Sequence, residues 1–336
     1  MLWKDAKVKK VLTVSIAAYN IEKYIEQCVS SFITPNTVEA IEVIIVNDGS
    51  KDNTLELARK YANKYPNIFK VIDKRNGGWG STVNAALEIA TGKYFKLLDG
   101  DDYYDNKNLQ EFLEVLESAS ADVVMSPYDT FEDETGKFLN HIEIEKCEPR
   151  KIYNVSEIDD RMLIAMHACA FNTDKLKNCR FKITENCFYT DLEYTLVALN
   201  NCETMQYYEK TIYMYRLGRS GQSVSMESLI KHWNDHYTVL SKLLDFEKCG
   251  LKEQNKKYFR NRLLEMVGIQ YSIFLSMKLD KGKRQSFIRF DLRIKNEFPW
   301  YDKFNSNKLV LIRKLDYKFI NILYYLSKLK RVVLNG

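Results

Sequence analysis

Hydrophobic and polar positions alternate between two periods along about the first 125 residues of the chain. Apolar, largely β-branched runs of strand length occur at 11–17, 41–47, 69–73, 94–98 and 123–126. Between them, apolar residues recur every three or four positions, as in amphipathic helices, at 21–32, 54–65, 81–90 and 109–116. This alternation predicts βαβ units, and the nearly continuous apolar strands predict a mostly parallel central sheet flanked by helices.

The rest of the chain has a different pattern. Residues 127–225 are less regular and richer in polar turns, whereas 226–336 are mainly helical in spacing. We therefore predict an α/β domain over 1–225, with halves at 1–126 and 127–225, followed by a mainly helical C-terminal region. That region ends in a basic amphipathic tail, 307–336.

Composition narrows the class of protein. A chain of 336 residues with 46% hydrophobic residues can form a packed core, which excludes wholesale disorder. The net charge of +5 argues against a dedicated nucleic-acid binder. The seven cysteines include no C-x-x-C pair, which indicates reduced thiols and neither a disulfide framework nor a zinc site. Because we find no signal-peptide pattern and no apolar run of about 18 residues, we expect a cytoplasmic protein without a spanning helix.

Polar clusters follow four of the predicted strands. They are Ala18-Tyr19-Asn20, the segment 48–52, the segment 74–78 and the segment 99–102. Ligands of parallel α/β sheets bind beyond the carboxyl ends of the strands. We therefore expect these four clusters to converge at one edge of the sheet and to form the binding site.

The segment Asp99-Gly100-Asp101 is the most informative of these clusters. Neighbouring carboxylates repel one another unless a cation or hydrogen-bond donors compensate them. Mg²⁺ and similar cations take one or two carboxylates together with substrate phosphates, and a glycine lets phosphates approach closely. The alternative is an acidic turn that caps the following helix. The position after an apolar strand, in register with Asp48, favours a site for Mn²⁺ or Mg²⁺ at Asp99 and Asp101.

The other clusters can bind a nucleotide. The Asp48 carboxylate can accept hydrogen bonds from a nucleobase or ribose, or it is an ordinary turn residue. Tyr19 can stack on a base or pack under the sheet. Asn76 and Gly77 offer a turn next to a helix start for a phosphate or sugar, or form a simple glycine turn. Neither a G-x-G-x-x-G motif nor a P-loop sequence is present, so the sequence does not support those phosphate-binding folds.

Several ordered motifs together resemble one known family. SIAAYN at 15–20, VIIVNDGSKDNT at 43–54, RNGG at 75–78 and ATGKYFKLLDGDDYY at 90–104 resemble the family 2 glycosyltransferases with a GT-A (Rossmann-like) fold, of the bacterial cell-envelope and capsule type. The resemblance is strong over about the first 110 residues, moderate over 160–225, and nearly absent beyond. It makes 1–126 the nucleotide-binding half and 127–225 the acceptor-binding half.

The resemblance implies an enzyme and a reaction. We expect metal-dependent, inverting transfer of a sugar from a nucleotide-diphosphate sugar, with UDP as the preferred carrier, to a hydroxyl of a glycan or lipid-linked acceptor in cell-surface polysaccharide synthesis. The processive Q-x-x-R-W sequence is missing, which favours addition of a single sugar. Donor-binding residues are expected to be Ala18, Tyr19, Asn20, Asp48, Asn76, Gly77, Asp99 and Arg219. Metal ligands are expected at Asp99 and Asp101, with Asp101 the more direct, and acceptor contacts at His167 and Asp102.

The catalytic base of the family is usually the Asp of a Glu-Asp pair, and here Thr190 replaces that Glu. The resemblance assigns the base to Asp191, which opens an amphipathic helix. An N-cap is the ordinary role of such an Asp, and the helix start is expected to lower its pKa. Glu185 and Glu193 are the reserve candidates. His167 is otherwise read as a buried core histidine.

Two basic segments have open interpretations. Arg216 or Arg219 in the loop 215–225 can pair with a diphosphate, or the loop is simply solvated. The tail 307–336 has seven basic residues and one acidic residue around helically spaced apolar positions. It can lie on the anionic inner face of the cell membrane, or it can dock on its own domain or on a second subunit.

Two other functions compete with the glycosyltransferase hypothesis. A nucleotidyltransferase also uses a nucleotide, a metal and an α/β sheet. It would normally carry a glycine-rich, basic loop after the first strand, where this chain has Ala18-Tyr19-Asn20. A non-catalytic sugar-nucleotide-binding protein remains an alternative because of Thr190.

Overall fold

The fold is described from a computed structural model. The structure describes residues 10–34, 38–179, 181–218, 225–318, 320–321 and 324–325. Two compact units make up the chain: Met1–Gly221 with Asp245–Asn261, and Gln222–Leu244 with Arg262–Gly336. The site residues predicted above belong to the first unit.

The described strands lie in the first unit, whereas the helices occur in both units. The strands are β1 (Leu12–Ala18), β2 (Ile41–Asn47), β3 (Phe69–Asp73), β4 (Tyr94–Asp99), β5 (Tyr103–Tyr104), β6 (Val123–Met125), β7 (Tyr128–Glu132), β8 (Phe138–Ile142), β9 (Ile152–Asn154), β10 (Cys169–Asn172), β11 (Thr204–Tyr207) and β12 (Tyr213–Leu217). The helices are α1 (Ile25–Ser30), α2 (Thr54–Lys64), α3 (Trp79–Ile89), α4 (Asn106–Ser118), α5 (Thr173–Asn178), α6 (Thr190–Asn201), α7 (Met226–Lys231), α8 (Trp233–Cys249), α9 (Lys256–Ser276), α10 (Lys281–Glu297) and α11 (Asn307–Lys314).

The described strands form a large sheet and a small one. The large sheet has the order β3-β2-β1-β4-β10-β6-β11-β9. Its first four strands are parallel, whereas β10 runs antiparallel to both β4 and β6. In the register of these strands, Ala18 at the end of β1 lies opposite Asn47 of β2, and Ala17 lies opposite Asp99 of β4. The polar segments after β1, β2 and β4 therefore emerge side by side.

The small sheet, in the order β5-β12-β7-β8, stands next to the end of β4 in sequence. Strand β5 directly follows the 99–102 segment and pairs antiparallel with β12 through Tyr104 and Tyr213. Strand β12 then pairs in parallel with β7. This arrangement brings the chain near residue 215 back to the carboxyl end of β4, about 110 residues away in sequence.

The core explains why these segments fold as they do. Strands β1, β2 and β4 are almost entirely buried, as their apolar runs predict. Helix α4 buries one face, with Leu109, Phe112 and Leu116 fully enclosed. At its start the Asp105 side chain accepts a hydrogen bond from the Lys107 amide and so caps the helix.

The predicted α/β class is confirmed: a mostly parallel central sheet is flanked by helices and followed by a mainly helical C-terminal region. In the second unit, helix α11 buries Leu309 and Ile312 and exposes Leu311. The rest of the predicted tail falls partly at 319, 322–323 and 326–336, which lie outside the described residues. Among the described residues, no helix combines the length and apolar character that crossing a membrane requires.

Candidate active site

The Asp99-Gly100-Asp101 segment begins at the last residue of β4. Gly100 is required because a Cβ there would lie 2.4 Å from Ile21 Cδ1 and 2.7 Å from the Ala17 carbonyl oxygen. Oδ1 of Asp99 accepts a 2.7 Å hydrogen bond from the indole Nε1 of Trp79, the first residue of α3. The segment is therefore packed tightly against β1, with its first carboxylate oriented by an indole.

Asp102 is buried. The Tyr213 hydroxyl donates a 2.6 Å hydrogen bond to its Oδ2, and the Arg216 amide donates a 2.7 Å hydrogen bond to its Oδ1. Burial, together with the negative charges of Asp101 and Asp99, raises the pKa of Asp102 well above its usual range. Through these two hydrogen bonds, Asp102 connects β12 to the segment after β4. The predicted contact between Asp102 and the acceptor stays a prediction.

The Arg216 side chain is buried and fully engaged by the protein, so it does not belong to a solvated loop. Its Nε donates to the Asp101 carbonyl at 2.6 Å, Nη1 donates to Asp133 at 2.9 Å, and Nη2 donates to Gln27 at 2.6 Å. These bonds hold the backbone of Asp101 in place and leave the expected diphosphate contact of Arg216 without support. Arg219, the other candidate, lies outside the described residues.

His167 lies in a Met166–Ala168 3-10 turn among three tyrosine rings. Its ring stacks on Tyr215 with centroids 4.4 Å apart, and it contacts Tyr213 at 4.6 Å and Tyr128 at 5.1 Å. Loss of water and the charge of Lys96 lower the pKa of His167 to about 3, so the imidazole is neutral at physiological pH. Its buried Nδ1 has no hydrogen-bond partner among the described residues.

Asp99, Asp102 and His167 converge. One ligand atom from each residue lies within 4.8 Å of the ligand atoms of the other two. In the described part of the chain, no other group of three or more His, Cys, Asp or Glu residues is this close together. Asp101, which the sequence favoured as the direct metal ligand, is not a member of this group. Its role as a ligand stays a prediction.

Lys96 was not predicted as a site residue, yet it lies fully buried in β4. Its Nζ donates a 2.5 Å hydrogen bond to the His167 carbonyl and lies 3.5 Å from the Cys169 carbonyl. Burial lowers the pKa of Lys96 to about 7. Lys96 therefore holds the backbone of His167 from inside the sheet. The cost is that burial disfavours the charged form of its amine.

Asp48 organises the loop that follows β3. Its Oδ1 accepts hydrogen bonds from Lys74 Nζ at 2.7 Å and from the Gly77 amide at 2.9 Å, and its Oδ2 accepts one from the Gly78 amide at 2.8 Å. Asn76 Nδ2 donates to the Asp48 carbonyl at 2.9 Å. Gly78 has φ of 77°, a conformation that favours glycine. The predicted donor residues Asp48, Asn76 and Gly77 are thus brought together.

The residues after β1 lie beside this loop. The buried Ala18 accepts a 2.8 Å hydrogen bond from the Asp48 amide on its carbonyl oxygen. Asn20 adopts a left-handed conformation, with φ of 51°, and its amide donates to Ser50 Oγ at 3.0 Å. Tyr19 keeps 48% of its surface exposed, so its ring is accessible to a ligand.

Asp191 is the second residue of α6 and is exposed. The sequence argument expected the helix start to lower its pKa, and that expectation is wrong in its net direction. The surrounding protein disfavours the charged form of the carboxylate and raises the pKa of Asp191, and this outweighs the opposing hydrogen bonds from the amides of Leu192 and Asp191. A raised pKa makes the ionised carboxylate a stronger base.

The two reserve carboxylates have structural partners. Glu193 is buried and accepts hydrogen bonds from the Thr184 amide at 3.1 Å and the Thr184 hydroxyl at 2.9 Å. Glu185 accepts a 3.1 Å hydrogen bond from Asn84 and pairs with Lys182 at 3.0 Å. Both therefore hold the segment that leads into α6.

Tyr215 connects the base candidate to the cluster after β4. After burial, the negative charges that raise its pKa are those of Asp99, Asp102, Asp101 and Asp191, in that order. All four carboxylates therefore lie within electrostatic range of one phenol ring, which also stacks on His167. The base candidate therefore lies within electrostatic range of the same ring as the residues that could hold a cation.

Comparison with known proteins decides the family. The sequence model described as Glycosyl transferase family 2 matches residues 13–181, half of the chain. This chain belongs to glycosyltransferase family 2. Membership confirms the predicted enzyme class, a glycosyltransferase. The match includes the segments after β1 to β4, and Asp191 lies ten residues beyond it.

Two relatives of this family 2 glycosyltransferase are longer proteins. It is 29% identical over 246 residues to the minor teichoic acid biosynthesis protein GgaB of Bacillus subtilis, a match covering 70% of this chain and 26% of GgaB. It is 25% identical over 249 residues to the glycosyltransferase GlyA of Streptococcus pneumoniae, covering 69% of this chain and 35% of GlyA. The chain thus spans about a quarter to a third of these relatives.

A solved structure confirms the GT-A fold. TarS residues 1–349 of S. aureus, crystallised in complex with UDP-GlcNAc, superimpose with a TM-score of 0.67 at 22% identity. The likeness covers 94% of this chain and 89% of that one. At this level of identity it establishes the fold, including the C-terminal part for which the sequence motifs had little resemblance.

The residues of this glycosyltransferase fit a divalent cation. Asp99 and Asp102 offer the oxygen ligands that Mg²⁺ and Mn²⁺ prefer, and a neutral imidazole is competent as a ligand. The buried Nδ1 of His167, without a partner among the described residues, is the observation that supports this fit.

The sequence reasoning missed Trp79, Tyr213, Tyr215 and Lys96. Signals for all four were present. Trp79 follows a Gly-Gly turn at a helix start, and Tyr213 and Tyr215 alternate on one face of a strand. A lysine in the apolar run of β4 is also unusual for a buried strand. Their partners lie 20 to 114 residues away, which no local pattern specifies.

Proposed function

We propose that this enzyme transfers one sugar, with inversion, from a nucleotide-diphosphate sugar to a hydroxyl of a cell-surface glycan or lipid-linked acceptor. The observation that carries the proposal is that Asp99, Asp101, Asp102 and Asp191 all lie within electrostatic range of Tyr215, whose ring stacks on His167. This supports a catalytic base close to the site proposed for the charged diphosphate. GgaB, which is named for teichoic acid biosynthesis, supports a role in cell-surface polymer synthesis without specifying the acceptor.

UDP is the proposed carrier. The structure of TarS with UDP-GlcNAc has the same fold as this chain, which supports a uridine donor. Tyr19, with its exposed ring, is proposed to stack on the base, and Ala18, Asn20, Asn76 and Gly77 to line the donor site. Asp48 acts by holding the amides of Gly77 and Gly78, and in this way shapes the loop that the nucleotide contacts.

Asp99, Asp102 and His167 would hold a Mn²⁺ or Mg²⁺ ion, with Asp101 next to them in the motif. When bound, such an ion neutralises the negative charge that builds on the leaving diphosphate. Arg216 keeps the Asp101 backbone in place, and Tyr213 keeps Asp102 oriented. These residues prepare the site before the donor arrives, which lowers the cost of reorganisation during reaction.

Asp191 is proposed as the catalytic base. It must be ionised to accept the proton of the acceptor hydroxyl, and its raised pKa increases its affinity for that proton. The hydroxyl oxygen then attacks the anomeric carbon opposite the departing diphosphate, which inverts the configuration. His167, lined by tyrosine rings, is proposed to lie at the acceptor side of this reaction.

We also propose a cytoplasmic location at the inner membrane face, with the basic tail 307–336 touching anionic lipid or a second copy of the chain. A lipid-linked acceptor would then reach the site from the membrane surface. Flotation of the whole chain with anionic and neutral liposomes separates these two contacts, because only the lipid contact needs anionic lipid.

The function is tested with a panel of sugar nucleotides and Mn²⁺, measuring donor hydrolysis and transfer. Wild type is expected to hydrolyse one UDP-sugar, and Asp101→Ala and Asp191→Asn to lose most activity. The exposed Glu88→Gln is the matched control. If no sugar nucleotide is hydrolysed, or either active-site variant keeps near wild-type transfer, the corresponding proposal is wrong.

A further inference from the structure

A groove runs along one side of the first unit, beyond the residues assigned above. Two cavities form it, with volumes of about 570 and 660 Å³, and each is within the range of ligand-binding pockets. They share Ile144, Glu145, Asp159, Arg161 and Met162, so they form one continuous depression. We call it the 142–163 groove.

The inner end of the 142–163 groove lies next to the reaction centre. Tyr128 and Ala168 line that end. The ring of Tyr128 contacts the ring of His167 with centroids 5.1 Å apart, and Ala168 is the next residue along the chain. His167 in turn belongs to the group with Asp99 and Asp102. A chain molecule lying in the groove would therefore have one end beside the aromatic residue that contacts His167.

The cations of the groove are already paired. Arg161 donates to Asp159 from Nε at 3.0 Å and from Nη2 at 2.7 Å, and Lys146 lies 3.7 Å from the same carboxylate. Lys257 pairs with Asp160 at 3.1 Å. In these ion pairs, aspartates of the groove itself balance the positive charges of its cations.

The carboxylates outnumber the cations. Glu143 and Glu145, both exposed, line the inner cavity together with Asp159. Counting both cavities, the groove has the acids Glu143, Glu145, Glu157, Asp159 and Asp160 against the three bases named above. A phosphate-bearing chain would meet net negative charge here, whereas sugar hydroxyls can donate hydrogen bonds to carboxylates. Leu163, 56% exposed at the inner cavity, offers apolar surface to a sugar ring.

We propose that the 142–163 groove binds the acceptor and selects an uncharged glycan over a polymer that carries phosphate. This inference rests on the proposed glycosyl transfer and specifies its acceptor class. Glu143 and Glu145 are the specificity-determining residues. They reject phosphate by repulsion and accept hydrogen bonds from hydroxyl groups.

The test compares binding of two kinds of probe to the whole chain in the presence of UDP and Mn²⁺. The probes are a set of uncharged tetrasaccharides of different linkages and a glycerol-phosphate oligomer of similar length. Affinity is measured by saturation-transfer NMR, and donor hydrolysis is recorded in parallel. The key variant is Glu143→Lys/Glu145→Lys, and the matched control is Glu88→Lys/Glu117→Lys, which makes the same charge change at exposed positions outside the groove.

We expect at least one tetrasaccharide to bind more tightly than the phosphate oligomer. In the groove variant the preference should shift toward the phosphate oligomer by about tenfold, while the control keeps the wild-type preference and donor hydrolysis is unchanged in both. A loss of affinity for both probes alike, an unchanged preference, tighter wild-type binding of the phosphate oligomer, or no tetrasaccharide binding would overturn the inference. Failure of the proposed function is seen separately, as absence of donor hydrolysis in wild type.

Discussion

The indole Nε1 of Trp79 donates a 2.7 Å hydrogen bond to Oδ1 of Asp99. The two residues before this tryptophan, Gly77 and Gly78, donate their amides to Asp48. Asp48 follows β2 and Asp99 ends β4, and these strands flank β1 in the sheet. The segment 77–79 therefore joins the carboxylates at two strand ends into one site. Its tryptophan also packs edge-on against Tyr194 of α6, the helix that carries Asp191.

Trp79→Phe should weaken binding of the metal. Phenylalanine removes the donor that orients Asp99, and loss of such an outer partner typically costs about 10-fold or more in metal affinity. We expect the Mn²⁺ concentration for half-maximal transfer to rise by about that factor, with excess Mn²⁺ restoring most of the rate. A metal titration of transfer measures this, with Trp300→Phe as control. An unchanged half-saturation point would show that the indole does not act through Asp99.

Asp191→Asn should abolish most of the transfer without preventing donor binding. Loss of a general base typically lowers the rate about 10² to 10⁴-fold. Since only the ionised carboxylate accepts the proton, wild-type transfer should fall on the acid side with an apparent pKa above the ordinary aspartate value of about 3.9. A pH–rate profile measures this, and Glu185→Gln serves as the comparison. Strong loss of transfer in Glu185→Gln alone would reassign the base.

The same substitution should not destabilise the fold at neutral pH. The pKa of Asp191 is higher in the folded state than in the unfolded chain, so its contribution to stability is full below the unfolded pKa and is lost as pH rises through the folded pKa. At pH 7, the melting temperature of Asp191→Asn should therefore equal or exceed that of wild type. The melting temperatures of the two proteins should become equal at about pH 3.5. Thermal unfolding across this pH range gives the answer. A variant less stable than wild type at pH 7 would contradict the raised pKa.

Lys96→Met should show the opposite dependence on pH. The pKa of Lys96 is about 7 in the fold against 10.5 for the free group, so its stabilising contribution is present above 10.5 and is lost as pH falls toward 7. The methionine variant should gain stability relative to wild type as pH falls from about 10 to 7. Differences in the free energy of unfolding between the two proteins measure this, since other titrating groups cancel. A difference that is independent of pH would mean that Lys96 keeps its ordinary pKa.

Sequence reasoning anticipates the first half of the fold well. The predicted strands at 41–47 and 69–73 have the bounds of β2 and β3. The first predicted helix is too long at its start because two amides are satisfied by side chains at the beginning of α2 and just before it. The Ile21 amide donates to Thr54 Oγ1 and the Glu22 amide donates to Asp52, so the helical pattern begins at Ile25. Apolar spacing alone cannot indicate this.

The part of the site that sequence reasoning missed depends on long-range contacts. Tyr213 and Asp102 are 111 residues apart in the chain, and their hydrogen bond depends on the pairing of β5 with β12. In the sequence, Lys96 only interrupts an apolar run. In the fold, β10 pairs with β4 and brings the His167 carbonyl within hydrogen-bond distance of the Lys96 ammonium. The motif residues lie in one local segment each, which is why they could be recognised without the fold.

The central claim is that carboxylates at neighbouring strand ends form one site that holds a nucleotide diphosphate through a cation. Calorimetric titration of UDP into the whole chain, with and without Mn²⁺, tests it most directly. The compared variant is Asp99→Asn, which keeps an oxygen for Trp79, and the exposed Asp174→Asn is the control. We predict that UDP binding requires Mn²⁺ and is about tenfold or more weaker in Asp99→Asn. Equal binding without Mn²⁺, or an Asp99→Asn affinity equal to wild type, would contradict the account.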